Sequence, residues 1–205
     1  MKLTMTFLFA CLTLSAEDLR ITVYNRAHLS PEVAAEVAGL LHSIFRQSGI
    51  DIQLQAGDPE ADEGKLVYLN SRPRNAQLLL MACGRARRDI ALEILDSAPD
   101  GVSQRTLGVS SPLAPAGLNA RVFDRRVQDA AFRENRAHAV VLAHAIAHEI
   151  GHVLLRSADH ESWGLMSSRW TDQEYSRMAA GGLGFTKAQS RKLLGTLQGA
   201  GCGNR

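Results

Sequence analysis

Apolar and polar positions in the first part of the chain follow two different periods, which predict strands and a helix. Residues 19–24 and 50–54 alternate between apolar and polar side chains, as half-buried strands do. Between them, Ser30 and Pro31 begin a helix as its cap and first-turn residue, and Gly49 ends it. The apolar stripe of this helix consists of Val33, Val37, Leu40, Leu41, Ile44 and Phe45. These elements predict a β-α-β unit.

The middle of the chain contains short runs that are typical of strands. The predicted strands are residues 65–69, 78–82, 107–110 and 120–123. Residues 89–95 fit either a short helix or a strand, and the acidic run at residues 57–64 is predicted to be a surface loop.

The longest helical pattern covers residues 136–155 and has a continuous apolar face. That face consists of Leu142, Ala143, Ile146, Ile150 and Val153. A membrane span would place four histidines and a glutamate of this helix in hydrocarbon, which is costly, so we predict a core helix. Residues 170–179 are a further helical candidate. Thr186 caps a last helix, with Gln189 at the capping-box position and an end near Gly199.

The predicted core helix contains the motif His148-Glu149-Ile150-Gly151-His152. An α-helix turns about 100° per residue, so the two histidines lie roughly 40° apart around the axis and one turn apart along it. Both imidazoles can therefore bind one metal ion, and neutral imidazoles leave Zn²⁺ a strong Lewis acid. Glu149 lies within the same arc, where it can take a proton from water activated by the metal. The motif predicts a zinc-dependent hydrolase.

A catalytic zinc ion needs a third protein ligand beside the two histidines. We favour His160, which lies beyond the predicted helix end in a polar segment that can fold back beneath the metal. Asp159 is one alternative. Glu174 is another, because some zinc hydrolases with the same helical motif take a glutamate from a following helix. His144 also lies on the motif stripe, and we expect it to pack in the core or to support a ligand.

The run from His148 to Met166 resembles the metzincin zinc peptidases, whose pattern is H-E-x-x-H-x-x-G-x-x-H followed by a Met-turn. It is most similar to small secreted bacterial proteins in which HEIGH precedes a further histidine and then Gly-Ile-Met. The resemblance implies His148, His152 and His160 as zinc ligands, Glu149 as general base, and Met166 beneath the metal. It also implies an α+β, metzincin-like zincin domain, in which a mixed twisted sheet packs on an N-terminal helix and an active-site helix, with a C-terminal helix.

This sequence departs from the family pattern in three places. Seven residues separate His152 from His160 where the pattern has five. Arg156 stands where close relatives carry glycine. Glycine can end a helix with little steric strain, because it adopts left-handed backbone angles. No tyrosine follows Met166 by two residues, where some metzincins place an oxyanion-stabilising phenol, and Tyr175 is the substitute we consider.

The amino terminus has the pattern of a secretory signal peptide at residues 1–16. One lysine precedes an apolar run, and the small residues Ser15 and Ala16 precede the mature chain. The run is too short for an ordinary membrane anchor. A lipoprotein modified at Cys11 is an alternative, although the apolar run before that cysteine is short. We expect a secreted or periplasmic protein with a single domain at residues 17–205, without a stable membrane span.

Charge and cysteine content narrow the function classes. The formal net charge is +2, and the one dense basic cluster, residues 85–88, has no interleaved aromatic residues, so we expect no nucleic-acid binding. Cys83 and Cys202 remain after removal of the leader, and they form one disulfide if the fold brings them together.

These features predict a secreted zinc-dependent endopeptidase that acts on a peptide or protein substrate. A free sheet edge beside the active-site helix would suit an extended peptide, which can add to it as a strand. Two alternatives stay open: a catalytically degenerate zinc-binding or recognition protein, and a zinc hydrolase with Glu174 as third ligand. Retention of Glu149 argues against the first, because a structural zinc site needs no general base.

Overall fold

The computed structural model describes residues 17–58, 89–112 and 118–199. The predicted signal peptide and the predicted strands at residues 65–69 and 78–82 lie outside these ranges, as does the predicted disulfide.

The described strands form one five-stranded mixed sheet with the order β2-β1-β3-β5-β4. The strands are β1 (Glu17–Asn25), β2 (Ile50–Ala56), β3 (Asp89–Leu95), β4 (Gly108–Ser110) and β5 (Leu118–Phe123). All neighbours are parallel except β4, which pairs antiparallel with β5. Residues 89–95 are therefore a strand, and a central one. Its apolar residues Ile90, Leu92 and Ile94 are buried between its neighbours and the helices.

The described helices surround the longest of them. They are α1 (Pro31–Arg46), α2 (Asp124–Arg133), α3 (His138–Leu155), α4 (Asp172–Ala179) and α5 (Lys187–Leu197). Helix α3 contacts all four other helices as well as β4 and β5. It is long and apolar enough to cross a membrane by length and composition alone, but 78% of it is buried inside the protein. It has the surroundings of a core helix, as predicted.

The β1-α1-β2 unit forms as its local pattern predicts. The Ser30 hydroxyl accepts a hydrogen bond from the Val33 amide, and Gly49 has a φ of +75°, the left-handed conformation that ends the helix cheaply. At the other end of the chain, the Thr186 and Gln189 side chains cap α5 reciprocally.

Helix α2 was not predicted from the sequence. Only a few apolar side chains, including Val127, Ala130 and Ala131, face the core, and the rest of the helix is mostly charged. Its first residue is bound to the start of α3, since the buried Asp124 carboxylate accepts a hydrogen bond from His138 at 2.7 Å. Helix α2 is therefore held by this tertiary contact together with the burial of its short apolar face.

Candidate active site

Three histidines lie close together at the carboxyl-terminal half of α3. The Nε2 atom of His152 lies 3.0 Å from Nε2 of His148 and 3.2 Å from Nε2 of His160. His148 and His152 are buried in the cleft wall, whereas His160 is exposed. The structure therefore brings together the three histidines that the sequence singles out.

Hydrogen bonds on the opposite ring atoms orient two of these imidazoles. Nδ1 of His148 donates to the Leu165 carbonyl at 2.7 Å, and Nδ1 of His152 donates to the Ser157 carbonyl at 2.8 Å. A carbonyl can only accept, so in the neutral rings the Nε2 atoms carry lone pairs. Burial lowers the pKa of His148 to about 4 and also lowers the pKa of His152, which keeps both rings neutral at pH 7.

The donor set suits a zinc ion. Two imidazole lone pairs at 3.0 Å repel each other unless a cation lies between them. In a tetrahedral site with zinc–nitrogen distances of about 2.0 Å, neighbouring nitrogens stand roughly 3.3 Å apart, close to the separations found here.

The chain returns to the histidines through a left-handed helix end. Arg156 has φ 55° and ψ 38°, the conformation that glycine usually supplies. The Ser157 amide then donates to the His152 carbonyl, and the Ser157 hydroxyl donates to Asp159 at 2.8 Å. The segment between His152 and His160, which is two residues longer than in the family pattern, thus still returns to the histidines. His160 rather than Asp159 joins the cluster.

Glu174 occupies a different place from that of a metal ligand. Its carboxylate accepts hydrogen bonds from the Gly164 amide at 3.1 Å and the Thr171 amide at 2.9 Å, and also from the Thr171 hydroxyl. The Thr171 hydroxyl is the main reason that the pKa of Glu174 falls to about 2, against the opposing effect of burial. Glu174 thus caps α4 and anchors the loop before Met166, outside the histidine cluster.

Met166 packs against α3 at Gly151, which lies between His148 and His152 in the sequence. A β-carbon at Gly151 would lie 2.6 Å from the Met166 sulfur and 2.8 Å from the Phe185 ring, so glycine permits this close approach. The preceding Leu165 carbonyl accepts hydrogen bonds from both His148 and the Trp170 indole. The loop that carries Met166 therefore also orients His148.

The side chain of Glu149 extends from α3 and packs against the edge strand β4. It is 7% exposed, and a β-carbon at Gly108 would lie 2.8 Å from its Cγ and 2.9 Å from its Oε1. Burial raises the pKa of Glu149 to about 7, opposed by the Ser110 hydroxyl. The carboxyl group can therefore both accept and release a proton near neutral pH.

A cleft of about 1230 Å³ passes the histidines and Glu149. Strand β4 lines it, and its other edge pairs with no strand in the part of the chain that the structure describes. Arg126 on α2 holds the segment that leads into β4, since its guanidinium donates to the carbonyls of Val102, Ser103 and Thr106. Nothing in the local sequence pattern indicates this role, because the three carbonyls lie about twenty residues earlier in the chain.

The remaining candidate residues take different positions. Trp170 lines the cleft and contacts the His148 ring edge to face at 5.8 Å, whereas Trp163 is 56% exposed and lies outside the cleft lining. Tyr175 lines the cleft behind Trp170. His144 is buried one turn before His148, and its Nδ1 donates to the Val140 carbonyl at 2.7 Å. The described metal-ligand cluster does not include it.

No family model and no curated protein matches this chain. Its fold is similar to that of a zinc-dependent peptidase from Methanocorpusculum labreanum, with a TM-score of 0.55 at 13% identity over 84% of this chain and 99% of the other. It is also similar to archaemetzincin from Methanopyrus kandleri, with a TM-score of 0.53 at 16% identity over 88% and 96% of the two chains. The chain thus has an α+β fold with a mixed sheet that is similar to the folds of these two proteins.

Proposed function

We propose that this protein is a zinc-dependent endopeptidase of metzincin-like type, with His148, His152 and His160 as metal ligands. One observation carries the proposal: three imidazole nitrogens converge on one point next to the buried carboxyl group of Glu149. The fold similarity to one protein named as a zinc-dependent peptidase and to one named as an archaemetzincin supports it. We also infer that the loop ending at Met166 acts as the Met-turn, since Met166 packs on Gly151 next to His152 and the Leu165 carbonyl accepts a hydrogen bond from His148.

The chemistry follows from the positions of these groups. Zinc, when bound, polarises the substrate carbonyl and makes water acidic enough to attack it at neutral pH. Glu149 takes a proton from that water as the water oxygen bonds to the carbonyl carbon. It then delivers the proton to the amide nitrogen as the carbon–nitrogen bond breaks.

The unpaired edge of β4 offers a place for the substrate backbone. Val109 in this strand is 37% exposed, and the strand lies between the cleft and β5. We infer that an extended peptide pairs with β4, which would present its carbonyl groups to Glu149 and the histidines. The pattern of residues 1–16 supports the further proposal that the enzyme acts outside the cytoplasm.

The test is zinc content and cleavage of a broad peptide library, measured together on purified variants. We expect the wild type to bind about one zinc and to cleave. Glu149→Gln should keep zinc and lose cleavage, whereas His160→Ala should lose zinc. Glu174→Gln should keep zinc, which would exclude it as third ligand. His42→Ala on α1 is the control for histidine removal and should behave as the wild type.

Two results would contradict the proposal. Zinc without cleavage in the wild type would indicate a structural or recognition site. Absence of zinc from the wild type would make the two helical histidines ordinary core residues.

A further inference from the structure

The cleft continues past Trp170, away from the histidines. Trp170 contacts the His148 ring on one side at 5.8 Å and the Tyr175 ring on the other at 6.0 Å, both edge to face. The same cleft is also lined by Ala130 and Glu134 from the end of α2 and by Ala145 from α3. The two alanines leave room there for a long side chain, and the indole offers an apolar surface for its stem.

The Tyr175 hydroxyl has no hydrogen-bond partner in the part of the chain that the structure describes, although Tyr175 is only 7% exposed. The hydroxyl oxygen is not among the fully buried atoms without a partner, so water or a ligand in the cleft can reach it. Burial raises the pKa of Tyr175, the charge of Glu134 raises it further, and the charge of Arg133 opposes this. The hydroxyl is therefore neutral at pH 7, lines the cleft and can accept or donate one hydrogen bond to a ligand.

Glu134 stands near this hydroxyl in an unfavourable place for a carboxylate. It is the residue after the last turn of α2, where the helix dipole disfavours negative charge. It is partly buried, and no ion pair forms to it among the described residues. Arg136 holds this turn against α4, since its guanidinium donates to the Tyr175 carbonyl at 3.2 Å and the Ser176 hydroxyl at 3.1 Å.

The other charged groups of this region do not neutralise Glu134. The Arg126 guanidinium is occupied by three backbone carbonyls. Asp129, Arg133 and Asp172 also line the cleft but are exposed, so water screens their charges more strongly. The carboxylate of Glu134 is thus the most shielded charge beside the Tyr175 hydroxyl.

We propose that this end of the cleft binds a basic side chain of the substrate, lysine or arginine. The aliphatic stem passes Trp170 and Ala145, and the cation pairs with the Glu134 carboxylate and donates to the Tyr175 hydroxyl. The inference rests on the proposed peptidase function and names its substrate class. We therefore expect the enzyme to prefer cleavage sites that have a lysine or arginine on this side of the cleaved bond.

Binding to the zinc-loaded Glu149→Gln variant tests the pocket without consuming the peptides. Peptides that differ only by lysine, norleucine or glutamate at one position are compared by calorimetry. We expect lysine to bind about tenfold more tightly than norleucine, the value of one charge-assisted hydrogen bond. Adding Glu134→Gln should abolish most of this preference, Glu134→Lys should reverse it toward glutamate, and Tyr175→Phe should reduce it several-fold. Asp129→Asn, an exposed carboxylate on the same helix, should preserve it.

The outcomes separate this inference from the proposed function. Zinc-dependent cleavage without a preference for lysine or arginine, or a preference that survives Glu134→Gln, would overturn the inference and leave the peptidase function standing. Nα-acetyl-lysine amide and Nα-acetyl-norleucine amide probe the same pocket in the zinc-free protein, independently of cleavage. Equal binding of the two amides would also overturn the inference.

Discussion

The side chain of Glu149 can pack against β4 because Gly108 has no side chain. In Gly108→Ala, the new β-carbon would lie 2.8 Å from Glu149 Cγ and 2.7 Å from the Arg121 carbonyl oxygen. We expect the carboxyl group to be displaced and the cleavage rate to fall by about tenfold or more, since reaction rates depend steeply on the position of such groups. Zinc content should not change. Steady-state kinetics with metal analysis measures both.

Gly39→Ala is the control for that change, because nothing lies within 4 Å of a β-carbon there. It should leave cleavage unaltered and stabilise α1 slightly. Full activity of Gly108→Ala would show that Glu149 does not depend on this contact.

Arg156 ends α3 in a backbone conformation that costs a non-glycine residue energy. With φ at 55°, Arg156→Gly should raise the free energy of unfolding by about 0.5–1 kcal/mol, since glycine adopts these angles without steric cost. Denaturant unfolding measures the change. Arg156→Ala keeps the unfavourable angles and should give no such gain. A loss of stability in the glycine variant would mean that the arginine side chain contributes contacts that outweigh the strain.

At the scale of elements, α2 controls the cleft rim through Arg126. Removing its guanidinium in Arg126→Ala leaves the carbonyls of Val102, Ser103 and Thr106 without this donor. We expect a loss of about 1–3 kcal/mol in stability and a higher KM, because β4 follows this segment and forms the proposed substrate edge. Zinc content should be unaltered, since no ligand lies on these elements.

Arg125 supplies the matched control for Arg126. It is the neighbouring residue on α2, and its ion pair with Asp96 is exposed on both sides. Arg125→Ala should therefore change stability much less than Arg126→Ala does and leave KM as it is. Equal effects of the two substitutions would show that Arg126 has no specific role at the rim.

At the scale of the whole molecule, stability and metal binding depend on the same proton equilibria. Burial lowers the pKa of His148 from 6.5 to about 4 in the folded chain. Between these values the unfolded chain binds the extra proton, so the zinc-depleted protein should lose stability as the pH falls through this window. His148 alone accounts for a loss of up to about 3 kcal/mol in the free energy of unfolding. This loss grows no further below about pH 4, where the histidine is protonated in both states. Added zinc should stabilise most near neutral pH, because the ligands bind it unprotonated.

Unfolding of the zinc-depleted protein at a series of pH values measures this dependence. His148→Gln should show a shallower slope between pH 6.5 and 4, and Gly39→Ala, which removes no titratable group, should retain the wild-type slope. Identical slopes in wild type and His148→Gln would place the source of acid sensitivity elsewhere.

Features that depend on neighbouring residues followed from the sequence by itself. The caps at Ser30 and Thr186, the β1-α1-β2 unit and the two α3 histidines one turn apart need only backbone angles and a helical period. The identity of residues 89–95 as a strand did not follow, because a short apolar run fits either state until its place in the sheet is known. Helix α2 escaped prediction because it is only ten residues long and mostly polar, although its few apolar residues lie on one face.

Contacts between distant parts of the chain were decided only by the tertiary structure. His160 reaches the α3 histidines through an arginine in left-handed conformation, which the sequence pattern disfavours. Gly108 contacts Glu149, and Arg126 holds carbonyls some twenty residues earlier, because the fold places β4 beside α3 and the segment before β4 beside α2. The sequence determined which residues can do zinc chemistry. The fold determined which of them meet, because loop closure and sheet order depend on the free energy of the whole core rather than on any local pattern.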